Sequence, residues 1–236
     1  MLLVGAGAAS IFMITKVPNI EYDDGWKESL YWIKDNTPTG AKFFNWWDQG
    51  HWITFIAERK VVADNRNLSG ESETDYALFL IDENESTSYS LLKKYYPDYV
   101  ILNSENIIAL NSLGLYAYNT TNYNDDRIAK FFGVSFPCTE QTDNLSGTKS
   151  FSCGPNSLTG EQMATIPTKW VSSPNQLIDQ RVPGVVYKNE DNSAIYILNM
   201  PTNNSMGAKL WFGSPEIKHF DEVYHNKKVK IFKTVN

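Results

Sequence analysis

The stretch Asn45-Trp46-Trp47-Asp48-Gln49-Gly50-His51-Trp52 sets three indoles around one carboxylate and one glycine. Indole N–H groups only donate hydrogen bonds and an ionised carboxylate only accepts them. Together they can grip a small hydroxyl while the rings keep water away from it. Such a pocket separates a hydroxyl-bearing group from its deoxy analogue, because the analogue leaves buried polar groups without partners. A plainer arrangement fits the same residues: two core tryptophans beside an aspartate that caps a helix. The segment Arg59-Lys-Val-Val-Ala-Asp64-Asn65 follows closely enough for Asp64 to share a corner with Asp48.

Other candidates for chemistry are weaker. Asp125-Asp126 with Arg127 and Lys130 suits the dipole and side-chain pairing of a helix without any reaction. The three histidines, His51, His219 and His225, match no metal-ligand spacing. No GxSxG elbow, phosphate loop or Cys/His nucleophile pair occurs.

The elements that must hold the tryptophan-aspartate stretch are readable in order. Trp26, Leu30 and Ile33 recur at helical spacing, with Asp24 as the expected N-cap and Asn36-Thr-Pro38-Thr-Gly40 as the stop. Ala41 to Trp46 reads as a short buried strand and Asp48-Gln49-Gly50 as a turn at its carboxyl end, where open α/β sheets place ligand crevices. A helix with Trp52, Ile53, Phe55 and Ile56 on its apolar face and a strand at Val61–Ala63 come next. Two helices between Thr74 and Tyr96, a strand at Tyr99–Leu102, and helices at Ile107–Leu115 and Asp125–Gly133 complete this part. Ile128, Phe131 and Phe132 form the apolar face expected of the last helix. Beyond Pro137, Thr139 to Gly160 reads as loop. Gly184–Lys188, Ala194–Met200, Ala208–Phe212 and Lys228–Val235 read as strands, with turns at Asn189–Asn192 and His225-Asn226.

Composition narrows the class. The 236 residues are 42% hydrophobic, enough for a real core, and 21 Lys and Arg stand against 27 Asp and Glu for a net charge of −6. No basic stripe is present, so nucleic acid is set aside as a partner. Leu2 to Ile14 is an apolar run shorter than the ~20 residues a helix needs to cross a bilayer. It lacks the positive lead of a signal peptide, so residues 1–20 are expected to be the end of a transmembrane helix. Asn-X-Ser/Thr sequons begin at Asn67, Asn84, Asn119, Asn144 and Asn203, which fits exposure to a glycosylation machinery. Cys138 and Cys153 flank a polar loop and fit a disulfide in an oxidising compartment, worth ~3 kcal/mol, the alternative being two free thiols.

Trp46-Trp47-Asp48-Gln49-Gly50 resembles the Trp-Trp-Asp-Tyr-Gly hallmark of the extracytoplasmic C-terminal domain of the oligosaccharyltransferase catalytic subunit, in its archaeal branch. The order of the flanks agrees: Trp26 to Pro38 upstream, Arg59 to Asn65 downstream, then Asp82-Glu83, Leu91 to Tyr95, Asp98-Tyr-Val-Ile and the closing His219-Phe220 and Val229-Lys-Ile-Phe. Gln49 departs from the hallmark tyrosine and receives no role.

The resemblance implies transfer of a lipid-linked oligosaccharide to asparagine in Asn-X-Ser/Thr, with Trp46, Trp47 and Asp48 binding the +2 Ser/Thr hydroxyl. A second family motif on a later helix would fall at 124–134, where Asp126 and Lys130 are the candidates. No catalytic residue and no cofactor is expected within this chain; catalytic acids and a bound Mg or Mn belong to an N-terminal multi-spanning membrane domain in the full-length enzyme. The implied partners are that domain, an acceptor polypeptide and the lipid-linked glycan, with the globular part membrane-attached on the extracytoplasmic side.

The expected fold class is α+β: residues 21–136 as an N-terminal α/β core with a mixed sheet and flanking helices, and 137–236 as a β-rich C-terminal part. Two other classes stay open on the residues alone, a secreted sugar- or peptide-binding module and a surface-layer structural domain.

Overall fold

The computed structural model describes residues 22–66, 70–172 and 184–235. Helix α1 (Asp24–Asn36) buries Trp26, Ser29, Leu30 and Ile33 on one face, the spacing the sequence predicts. Its cap is Asp23 rather than Asp24: the Asp23 side chain accepts from Trp26 N–H at 3.0 Å, leaving Asp24 in the first turn. Strand β1 (Lys42–Phe44) leads through a 3₁₀ turn at Trp47–Gln49 into α2 (Gly50–Phe55), and β2 (Lys60–Val61) returns parallel to β1. Ile53 and Ala57 face the core, whereas Phe55 points away and is 79% exposed. The apolar face expected of this helix is therefore narrower than its composition implies.

Helices α3 (Glu71–Ile81) and α4 (Glu85–Lys93) precede β3 (Tyr99–Asn103), then α5 (Ser104–Ile108), α6 (Leu110–Ala117) and α7 (Asp126–Ala129) follow. The single helix expected over 107–115 is two. The one expected over 125–133 stops after four residues, with Phe132 exposed and Gly133 opening the next strand. Strands β4 (Gly133–Thr142), β5 (Lys149–Cys153) and β6 (Asn156–Thr159), helix α8 (Gly160–Thr165), then β7 (Gly184–Lys188) and β8 (Ala194–Asn199) come next. Helices α9 (Met200–Asn204) and α10 (Met206–Trp211) and strands β9 (Phe220–His225) and β10 (Val229–Thr234) close the order.

The expected α+β class is what the chain adopts. One sheet runs β2-β1-β3-β10-β9 and the other β6-β5-β4-β8-β7. In the first, β2, β1 and β3 are parallel, while β10 pairs antiparallel with both β3 and β9, so its mixed character comes from strands at the far end of the chain. Successive residues of β3 serve opposite faces. Tyr99 and Ile101 pack with Trp26, Ile33 and Phe43 on the α1/α2 side, and Val100 and Leu102 with Phe44, Tyr76 and Leu80 on the other. The sheet is thus covered on both faces, which places the β1–β2 loops and their motif at its edge.

Two segments depart from the sequence expectation. Residues 208–212, expected as strand, lie in and just after α10; Ser205 caps the helix and Gly213 ends it at φ +68°. A short apolar run does not itself distinguish strand from helix, and these flanking signals decide it. The stretch 139–160, expected as loop, instead supplies the end of β4 together with β5 and β6. Its strands are polar because only Phe151, Cys153 and Leu158, with the amide of Asn156, turn inward among residues otherwise mostly exposed. Cys138 lies opposite Cys153 in the β4–β5 ladder and the two are disulfide-bonded.

The apolar run 2–14 lies outside the described residues, among which no helix is long and apolar enough to cross a membrane.

Candidate functional site

Trp46, Trp47 and Asp48 lie immediately beyond the carboxyl end of β1, on the 3₁₀ turn that opens α2. Sterics fix this turn. A β-carbon on Gly50 would stand 2.0 Å from the backbone oxygen of Ala63 and 2.7 Å from the β-carbon of Asp64. Only glycine lets the turn press onto the segment after β2, so Asp64 does share the corner with the motif. The amide of Asn45 adds to the join, donating 2.8 Å hydrogen bonds to the carbonyls of Ala63 and Trp46.

Trp46 is buried. Its ring meets Tyr116 of α6 edge-on with centroids 5.0 Å apart, and packs against Tyr76 of α3 and Trp47 at 5.9 and 6.3 Å. Trp47 is half-buried beside it. Asp48 Oδ1 is buried with no partner in the protein. Burial, reinforced by the charge of Glu105, pushes the Asp48 carboxyl up to about 7, against the pull of the Asp48 and Gln49 backbone N–H groups. Tyr76 is fully enclosed, its phenol pushed upward by burial and by the Asp48 charge, with its oxygen 2.8 Å from the carbonyl of Ile101. The arrangement is a half-dry acceptor flanked by aromatic rings, suited to receiving a hydrogen bond from a neutral donor.

Arg59 and the acids near the turn have structural duties. Arg59 is buried and its guanidinium donates to the carbonyls of Lys34, Thr37, Ala57 and Glu58 and to Thr37 Oγ1, tying the end of α1 to the α2–β2 loop. Asp64 is paired with Arg66, which holds its carboxyl below the usual range. His51 Nδ1 lies 3.1 Å from Asn65 Oδ1. Among the described residues no group of three or more His, Cys, Asp or Glu could hold a metal ion.

Asp126 and Lys130 stand on the exposed side of α7 and at its end. Asp125 caps this helix and pairs with Arg127, and the Lys130 ammonium lies over the Phe131 ring. The link from α7 to the motif runs through α6, where Ile128 packs on Gly114 and Tyr116 touches Trp46. The sequence reading missed Tyr76, Tyr116 and Glu105, which come from three different elements, and the buried amides of Gln49 and Asn103. The spacing Asn103-x-x-Asn106 at the end of β3 was the available signal for the last, since it forms a capping box on α5.

The sequons sort by environment. Asn203 is fully buried, its amide donating to the carbonyl of Val171 and its oxygen accepting from Tyr187, so this sequon belongs to the core. Asn84 caps α4, while Asn119 and Asn144 are exposed; Asn67 lies outside the described residues.

Residues 42–107, which span β1 to α5 and include the whole motif, match the family model described as AglB core-like, AglB core domain. The dolichyl-diphosphooligosaccharide–protein glycosyltransferase subunit STT3B of Oryza sativa subsp. japonica is 24% identical over 208 residues, 81% of this chain and 26% of that protein. The chain therefore spans about a quarter of the length of that relative. The C-terminal globular domain of an oligosaccharyltransferase from Pyrococcus abyssi superposes with a TM-score of 0.50 at 16% identity, over 89% of this chain and 50% of that one. An Archaeoglobus fulgidus oligosaccharyltransferase, tethered to an acceptor peptide containing the NVT sequon, gives a TM-score of 0.50 at 18% identity, over 86% of this chain and 23% of that one. Residues 42–107 thus match an AglB core-like domain, and the chain shares the fold of the C-terminal globular domains of oligosaccharyltransferases.

Proposed function

We propose that this chain is the acceptor-reading domain of an oligosaccharyltransferase, with Trp46, Trp47 and Asp48 binding the Ser/Thr hydroxyl of Asn-X-Ser/Thr. The observation that carries the reading is Asp48 Oδ1, a buried carboxylate oxygen without a protein partner beside two indoles. A threonine or serine hydroxyl donates to that oxygen, and the rings of Trp46 and Trp47 cover it. The solved relative tethered to an NVT-containing acceptor peptide supports peptide binding by a chain of this fold.

In the reaction of the whole enzyme, the acceptor asparagine nitrogen bonds to the first sugar carbon as the bond from that carbon to the lipid-linked phosphate oxygen breaks. The asparagine amide loses a proton and the lipid phosphate leaves. This chain contributes position and selectivity: holding the hydroxyl two residues away fixes where the asparagine amide sits, which is how remote binding lowers a barrier. The catalytic acids and the Mg or Mn ion are assigned to a membrane-embedded region on the N-terminal side, and the globular domain to the extracytoplasmic face where it meets the lipid-linked glycan.

Asp48→Ala in the transferase carrying this domain is expected to lower kcat/KM for an Asn-X-Thr peptide by roughly a hundredfold. An Asn-X-Ala peptide should be a poor substrate for both forms. Undiminished transfer to Asn-X-Thr by the variant would remove the assignment of the pocket.

A further inference from the structure

Eight buried side-chain nitrogen or oxygen atoms of the described residues have no partner in the protein, and five of them belong to Asn45, Asp48, Gln49 and Asn103. These are Asn45 Oδ1, Asp48 Oδ1, both amide atoms of Gln49, and Asn103 Nδ2. Asn45, Asp48 and Gln49 share the turn after β1, and Asn103 ends the strand beside it. The two strands, β1 and β3, run in parallel with Phe44 opposite Val100. The carbonyl of Trp46 receives both the Asn45 amide at 2.8 Å and the Gln49 backbone N–H at 3.2 Å, so the two residues converge on one atom. Asn45, Gln49 and Asn103 are each 0% exposed.

Partial engagement makes the unpaired atoms more telling. Asn45 uses its nitrogen on two carbonyls and leaves its oxygen. Asn103 uses its oxygen to cap α5, accepting from Asn106 N–H at 2.8 Å, and leaves its nitrogen. Gln49 uses neither end. The set therefore offers acceptors from Asn45 and Gln49 and donors from Gln49 and Asn103, the complement that a buried water needs, since such waters make about three hydrogen bonds to otherwise unpaired groups. Leaving these amides dry would penalise the fold at each atom, and native interiors avoid this.

We infer that Asn45, Gln49 and Asn103 hold ordered water beneath the Trp47–Gln49 turn, and that Gln49 is thereby a positioning residue for the Asp48 carboxylate. The coupling is short. Gln49 follows Asp48 directly, and its backbone N–H is one of the groups facing that carboxylate. A water-bridged amide network sets the tilt of the turn and, with it, where Asp48 Oδ1 meets a hydroxyl. The hallmark tyrosine at position 49 has no amide to offer, so glutamine with its water is a different solution to holding the same turn.

This inference rests on the proposed role of Asp48, and two measurements separate their fates. A crystal structure of this chain at high resolution is expected to show water bonded to at least two of Asn45 Oδ1, the Gln49 amide and Asn103 Nδ2. Direct amide–amide bonding with no water there would overturn the inference whatever Asp48 does. In the intact transferase, Gln49→Met, which keeps side-chain length without the amide, is expected to raise KM for an Asn-X-Thr peptide roughly tenfold at unchanged kcat. A merely structural Gln49 would lower the yield of folded enzyme and leave KM alone, and that result also overturns the inference. If Asp48→Ala raises KM and Gln49→Met does not, only the positioning role fails; if Asp48→Ala has no effect, the pocket assignment fails first.

Discussion

Gly50 and Ala63 are in such close backbone contact that a β-carbon at position 50 would lie 2.0 Å from the Ala63 carbonyl oxygen. The glycine's φ of −61° is ordinary for any residue, so its role is steric rather than conformational. Gly50→Ala must push the 3₁₀ turn off the loop after β2, and overpacking of this kind costs ~1–3 kcal/mol. Urea unfolding should show that loss. The same displacement carries Asp48 with it, so acceptor affinity is expected to fall beyond what the stability change explains.

The contact also marks what the sequence made legible. The strand, turn, helix and strand around the motif follow from Phe43, Phe44, Gly50 and Ile53 in a local pattern, and the structure keeps them. Tyr76, Tyr116 and Glu105 reach the site from α3, α6 and α5, and nothing in local periodicity says that these helices converge on Trp46 and Asp48. The polar strands of 139–160 were unreadable for a related reason. A hairpin with mostly exposed residues presents little hydrophobic alternation, and its pairing is set by the partner strands and by the Cys138–Cys153 bond.

Arg59 explains why the segment after the motif carries a cation at that position. Its planar fork serves four carbonyls and a hydroxyl from two sides of one corner, a geometry an ammonium does not reproduce. Arg59→Lys is therefore expected to destabilise by ~1–3 kcal/mol, the range for buried acceptors left unpaired. Thermal unfolding would register it, and hydrogen exchange should rise first at the end of α1 and in the α2–β2 loop.

The disulfide lies in the second sheet, away from the motif. Cys138 and Cys153 are 15 positions apart, and loss of that loop closure corresponds to ~3 kcal/mol in the chain-entropy account. The double variant Cys138→Ser, Cys153→Ser should lower the melting temperature while leaving acceptor-peptide affinity at the wild-type value. A matching loss of affinity would show that loosening β4 and β5 reaches the motif through the core that the two sheets share, where Trp46 lies in one cluster with Val185, Tyr187 and Leu198.

With the role proposed for Asp48, stability and recognition are expected to respond to pH in opposite senses. The folded-state carboxyl of Asp48 is raised to about 7 from an ordinary value of 3.8, so between these limits the folded protein holds a proton that the unfolded chain has released. Stability then falls as pH rises through that window, by at most ~1.4 kcal/mol per pH unit for one group, and levels off above it. Glu105 faces Asp48 and steepens the penalty; Tyr76 stays neutral throughout. Hydroxyl binding runs the other way, because a carboxylate accepts where a neutral acid competes as a donor. Acceptor affinity is expected to rise through pH 6 to 8 while the unfolding free energy declines over pH 5 to 7. Asp48→Asn should abolish this contribution to both slopes, leaving a protein more stable than wild type at pH 8 and weak in acceptor binding at every pH. Denaturant titrations and peptide-binding isotherms at four or five pH values would test both halves, and unchanged slopes in the variant would show that another group governs them.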